Sequence, residues 1–360
     1  MHRTVLPVAI GIAVLAAVLV VSDPVKTLAA LRGGNPALVA LSCGLVVPAV
    51  LLRVVRWKLM IAPVAALSVA EVYAPVTVGY MANNLLPARL GYILRAVLAA
   101  RRRGVDLPFA LGTVVVEKLV EGVVLVAIGA AILAAVPTSG ALRGGLALSA
   151  LAFIGGLVVL WLLAPVGEQV FGLTGLCRPL WRLLPARASA RLSHWLLSLL
   201  AGLAGLRRLD LAGGIAGLSI VSWLIEGAAY VMAFAAFVPD APPAVLIAGP
   251  VLVMVTANIG GALLPSPAAV GTFEGIGVAT LALLGVEEAR ALSFLLAYHA
   301  ANVVVIVGMG LLGLWSEGLS FGQAMAGARH ASTSNISPTR PDRVGRAVDP
   351  HVPVAEGHGD

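Results

Sequence analysis

A guanidinium inside a long apolar run must either be paired with a carboxylate or be placed to receive an anion, because a lone charge at the bilayer centre costs at least ~2.5–3.5 kcal/mol. Arg89, two residues after Pro87, and Arg95, six residues later, are such groups. Glu117 and Glu121, four residues apart, share one face of a helix, while the intervening Lys118 points elsewhere. Two readings follow. In one, Arg89 and Arg95 pair with Glu117 and Glu121 and pin two segments together. In the other, the guanidinium forks and the amides freed at a half-helix N-terminus, with Asn84 beside them, hold a phosphate in two-pronged fashion. A nearby carboxylate could then take up and release a proton. Later in the chain, Glu274 lies just beyond a second Pro/Gly break and is the counterpart of the Arg89 to Arg95 region. Glu226, Asn258, His299 and Asn302 form a possible second-half polar site, although single polar groups often serve only to join helices. No nucleophile stands beside a base, no metal-ligand cluster is spaced for an ion and no glycine-rich nucleotide loop occurs. The expectation is therefore no catalytic residue, no metal site, no cofactor and no nucleotide.

The elements that position these groups follow from composition. Of 360 residues 60% are hydrophobic and 11% charged, against about 25% charged in ordinary soluble domains. So little polar surface excludes a soluble globular enzyme and a nucleic-acid binder, and apolar runs without strict alternation exclude an outer-membrane barrel. The class is all-α and polytopic. A span needs about 20 apolar residues, and six stretches qualify: about 5–21, 37–57, 107–136, 145–164, 211–237 and 290–315. Two more, about 71–100 and 242–286, are interrupted, the first at Pro87 and Gly91, the second at Pro265, Pro267 and Gly271. Backbone freed at such breaks must be buried in protein or line a wet cavity, so each reads as a re-entrant helical hairpin.

Charge supports that topology. With a cytoplasmic N-terminus and both hairpins returning to the side they enter, 19 of the 24 Lys and Arg fall inside, among them Arg53, Arg56, Arg89 and Arg95. Residues 165–210 are too polar to span and read as an amphipathic segment on the cytoplasmic surface, where their arginines meet anionic lipid headgroups. Both termini are expected in the cytoplasm, with Cys177 there and Cys43 buried in the second span. Residues 1–316 form the membrane domain and 317–360 a disordered cytoplasmic tail. Leu85-Leu86-Pro87 recurs as Leu263-Leu264-Pro265, and Gly104-Val105-Asp106 as Gly285-Val286-Glu287. These mark two repeats, about 37–136 and 211–315. Their hairpins open on opposite sides, which makes the halves an inverted repeat of the transporter kind.

Asn84-Leu85-Leu86-Pro87-Ala88-Arg89-Leu90-Gly91, Arg95, Glu117-Lys118-Leu119-Val120-Glu121 and the run from Pro265 through Gly271 to Glu274 resemble the transmembrane region of lysylphosphatidylglycerol synthases, the flippase-like membrane proteins. The resemblance covers roughly residues 5–316. This chain has Tyr92 where the family often carries an acidic residue. It also has a short polar tail where the full synthases carry a soluble aminoacyl-transferase domain, so synthase activity is not expected. The resemblance implies a bacterial inner-membrane protein that moves a lipid between leaflets. The substrate would be an amphiphile with an anionic or phosphate-containing head: a phospholipid, a polyprenyl-phosphate or a hopanoid-related lipid. Two alternatives are a membrane-embedded transferase or phosphatase acting on a lipid head, and a non-catalytic partner of a lipid-synthesis enzyme.

Overall fold

The computed structural model describes residues 15–86, 89–102, 104–136, 140–263, 269–320 and 322–323. Pro87, Pro265, Pro267 and nearly all of the tail lie outside the described residues, as does most of the first expected span. The described chain is helical, with no strand: α1 (15–21), α2 (Pro24–Gly33), α3 (Pro36–Ile61), α4 (Val69–Leu85), α5 (Gly91–Ala99), α6 (Leu107–Ala135) and α7 (Gly140–Phe171), then α8 (Arg178–Trp181), α9 (Ala186–Ala201), α10 (Ala204–Arg207), α11 (Leu209–Phe237), α12 (Pro243–Leu263), α13 (Thr272–Ala282) and α14 (Glu288–Ser316). Six are long and apolar enough to cross a bilayer: α3, α6, α7, α11, α12 and α14. Five match expected spans. The sixth, α12, is longer than a half-helix was expected to be: its 21 residues are about 31 Å long, enough by length for a full crossing.

Local chemistry sets the helix ends. Pro36 opens α3, and the Asn35 carboxamide accepts the Ala37 and Leu38 N–H groups that have no partner within the helix. Ser68 and Glu71 form a reciprocal capping box at α4. Gly271, at φ 79°, turns the chain into α13, where the Glu274 carboxylate accepts the Gly271 N–H at 2.7 Å.

The packing has a reciprocal order. Long, interrupted, short and long helices follow one another as α3, α4, α5 and α6, and again as α11, α12, α13 and α14, with an internal proline in α4 (Pro75) and in α12 (Pro250). α3 lies against α11; α4 packs on α14, and α12 packs on α6. The segment expected on the surface folds as α8, α9 and α10, and α9 docks on α6 and α7. The core is largely aliphatic in the first half. In the second half it carries an aromatic group in which Phe234 meets Phe294 edge-on, with ring centroids 5.4 Å apart.

The short helix α5 is held by a very close approach to α4. A Cβ on Gly91 would stand 2.0 Å from the Gly79 carbonyl oxygen and 2.6 Å from the Asn83 nitrogen, so only glycine lets the two backbones meet. Gly91→Ala is therefore expected to cost about 1–3 kcal/mol by overpacking. Gly144→Ala, where nothing lies within 4 Å of the new methyl group, should leave stability unchanged or slightly raised. Thermal unfolding of the two variants in detergent checks the contrast.

Candidate functional site

The polar interior is built around Arg56 of α3, a residue the sequence reading placed on the cytoplasmic side. It is 1% exposed and reaches both carboxylates of α6: Glu117 at 2.5 Å, and Glu121. Its second terminal nitrogen donates to Ser219 of α11 at 3.2 Å. One turn earlier on the same helix face, Arg53 pairs with Glu226 of α11 and lies 4.7 Å over the ring of Trp223. Arg53 and Arg56 are thus intramembrane cations rather than loop charges. Their spacing of three residues within an apolar run was the signal for a shared helix face.

Arg95 is fully buried on α5, with Nη1 2.7 Å from Glu117. Its plane sits 3.9 Å over Trp57 and 5.7 Å from Tyr80, and its Nε and Nη2 make no hydrogen bond among the described residues. Tyr80 donates its hydroxyl to Glu117 at 3.3 Å. The expected pairing of Arg95 with the α6 carboxylates is therefore observed, and it has a competitor, Arg56, that was not foreseen. Lys118 corrects a second expectation. It does not point elsewhere but folds back to Glu121 at 2.5 Å, with its ammonium 5.0 Å over the Tyr92 ring centroid.

Counting the group, four cations (Arg53, Arg56, Arg95 and Lys118) share three carboxylates (Glu117, Glu121 and Glu226). Among the described residues the cluster keeps one positive charge in excess.

Arg89 departs from the reading in which it pairs with a carboxylate. It sits at φ 52°, in the left-handed region that a side chain seldom adopts, and Nη2 donates to the Gly261 carbonyl oxygen at 2.6 Å. Gly261 stands near the C-terminal end of α12, so the first break reaches directly to the second across 172 residues of sequence. The remaining donors of the half-buried guanidinium face no carboxylate among the described residues.

The second-half residues divide into two places. Glu226 belongs to the Arg53 pair. Glu274 and His299, read separately in the sequence, meet at 2.6 Å, with Phe273 packed 5.0 Å from the imidazole. Asn302 donates to the Tyr298 hydroxyl at 3.3 Å. Asn258 and Asn84 turn back on their own helices, donating to the Met254 and Tyr80 carbonyl oxygens. Cys43, expected to be buried, is partly exposed.

If Arg56 balances both carboxylates, its loss leaves buried charge. Arg56→Gln should cost about 3–5 kcal/mol, and a second change, Glu121→Gln, should recover much of that. Arg89→Gln breaks one bond to a carbonyl and should cost about 1–3 kcal/mol. Chemical or thermal unfolding of the three proteins measures the difference.

Comparison with known proteins adds a family. A family model described as the lysylphosphatidylglycerol synthase TM region matches residues 8–310. Neither a curated protein nor a solved structure matches the chain.

Proposed function

We propose that this chain, which belongs to the lysylphosphatidylglycerol synthase transmembrane-region family, moves a lipid with an anionic or phosphate-containing head between the leaflets of a bacterial inner membrane. The observation that carries the reading is the Arg89 to Gly261 contact, which brings a guanidinium with no carboxylate partner among the described residues to the end of α12, beside the second break. A discontinuous helix lining a polar site is a recurrent transporter arrangement, because backbone freed inside a membrane needs water or a ligand as its partner. The excess positive charge on the neighbouring cluster favours an anion there over a neutral or cationic head.

The halves are read as inverted copies with re-entrant breaks. The reciprocal packing of α4 on α14 and α12 on α6, with the paired internal prolines, supports that reading. The chain acts as a transporter and not as an enzyme on this account. A transferase or phosphatase would need a nucleophile held by a base. The nearest candidate is the Glu274–His299 pair, whose carboxylate is already engaged by the Gly271 N–H. A substrate head would be bound by Arg89 and, after a local opening, by Arg95. Glu117 would hold Arg95 in place when the site is empty, and the Gly261 carbonyl oxygen would hold Arg89.

The experiment is leaflet exchange of a fluorescent anionic phospholipid in proteoliposomes. Arg89→Gln should keep the fold and slow exchange at least about tenfold, the loss of one charge-assisted contact. Arg89→Lys should recover only part, since an ammonium cannot make the two-pronged contact. Wild-type exchange rates in a stable Arg89→Gln protein would remove the site.

Both termini and Cys177 are placed on the cytoplasmic side in this reading, with the arginines of α8, α9 and α10 against anionic headgroups. A membrane-impermeant maleimide should leave Cys177 unlabelled in intact cells and label it in inverted vesicles. Labelling from outside would reverse the orientation.

A further inference from the structure

Away from the ionic cluster, a lateral groove of about 800 Å³ runs between α6, α7 and α11, and every side chain lining it is apolar or aromatic. Val120, Val124 and Ala127 form one wall, Ala216 and Ile220 the other, and Trp161 stands at the rim, 57% exposed. The lining of α6 runs from Val120 to Ala131, about 16 Å of helix, which is the shape of a slot for an extended chain rather than for a compact molecule.

The groove is a fixed part of the fold. α7 is clamped to α6 where a Cβ on Gly122 would stand 2.1 Å from the Phe153 ring, so the rim that carries Trp161 cannot drift inward to fill the space. Both walls belong to helices long and apolar enough to cross a bilayer. The groove opens sideways between spanning helices, and hydrocarbon is the material at hand to supply its walls with dispersion contacts. A basic residue adjoins one lining residue in the sequence. Leu206 lines the groove, and the next residue, Arg207, is exposed and makes no ion pair among the described residues.

We propose that this groove holds one hydrocarbon chain of a phospholipid whose anionic head lies against Arg207. The site is separate from the Arg89 contact, so it does not depend on the translocation reading being correct. It touches the ionic cluster through the helix walls alone: Val120 lies between Glu117 and Glu121, and Ile220 follows Ser219, which holds Arg56.

The test uses the full chain in proteoliposomes with phosphatidylglycerol or phosphatidylcholine carrying a photoactivatable group on one acyl chain, followed by peptide mapping of the crosslinks. Label from the phosphatidylglycerol probe should concentrate on residues 120–131 and 212–220. It should exceed label at Leu148 and Leu151, which are 69% and 72% exposed on α7. Ala216→Phe should cut the groove label at least about fivefold without lowering Tm, with Ala127→Phe on the facing wall as the second filling variant. Arg207→Gln should lower phosphatidylglycerol labelling about fivefold, the effect of one basic residue near the surface, and leave phosphatidylcholine labelling unchanged. Groove label no greater than that at Leu148 and Leu151, or unaffected by either filling variant, would overturn the chain site. Equal labelling by the two probes would overturn the anionic head. Groove label as expected in a protein that shows no leaflet exchange would support this site and refute the translocation reading.

Discussion

The arrangement depends on one guanidinium satisfying two carboxylates inside the membrane. Arg56 holds Glu117 and Glu121 of α6 at once and reaches Ser219 of α11 with its other arm. A charge buried alone would be intolerable there, so the positions of α3, α6 and α11 are set together rather than pairwise. Arg53 and Glu226 repeat the tie between α3 and α11. Arg95 joins α5 to the same carboxylate, adding an ionic tie to α6 to the close packing of this nine-residue helix on α4.

The same constraint bears on the proposed binding role. A balanced ion network is a structural device and has little to offer a ligand. Here the cations exceed the carboxylates, and one of them, Arg95, is held partly by aromatic faces, which leave its edge donors without hydrogen bonds among the described residues. Aromatic stacking stabilises a guanidinium while keeping its hydrogen-bonding edge available, which carboxylate pairing on both edges would not. The Arg89 contact with Gly261 sets the two breaks beside one another and supplies a second guanidinium at the junction.

Much of this was legible in the sequence, and the misses have physical causes. Long apolar runs located α3, α6, α11 and α14 to within about four residues at each end, and α7 without its outer turns, because a bilayer leaves few ways to satisfy a backbone. The spacing of Glu117 and Glu121 marked the face of α6 that carries charge. Arg53 and Arg56 were misplaced because a positive-inside count treats any cation near a span end as a loop charge, whereas α3 continues to Ile61. Lys118 was misjudged because helical position fixes the Cβ direction but not the reach of a four-carbon stem. α12 was read as half a hairpin because Gly260 and Gly261 look like a break, yet the helix runs through them to Leu263. The Glu274–His299 pair and the Arg89–Gly261 contact join residues 25 and 172 positions apart, which no local pattern reports.

In the proposed function, the positive charge in excess among the described residues of the cluster selects an anionic lipid head. Native mass spectrometry of the protein released from bilayers containing equal amounts of phosphatidylglycerol and phosphatidylcholine tests it most directly. Retained phosphatidylglycerol should be in clear excess over phosphatidylcholine, with the excess reduced when Arg89 is replaced by glutamine. Equal retention of the two lipids by the wild-type protein would contradict it.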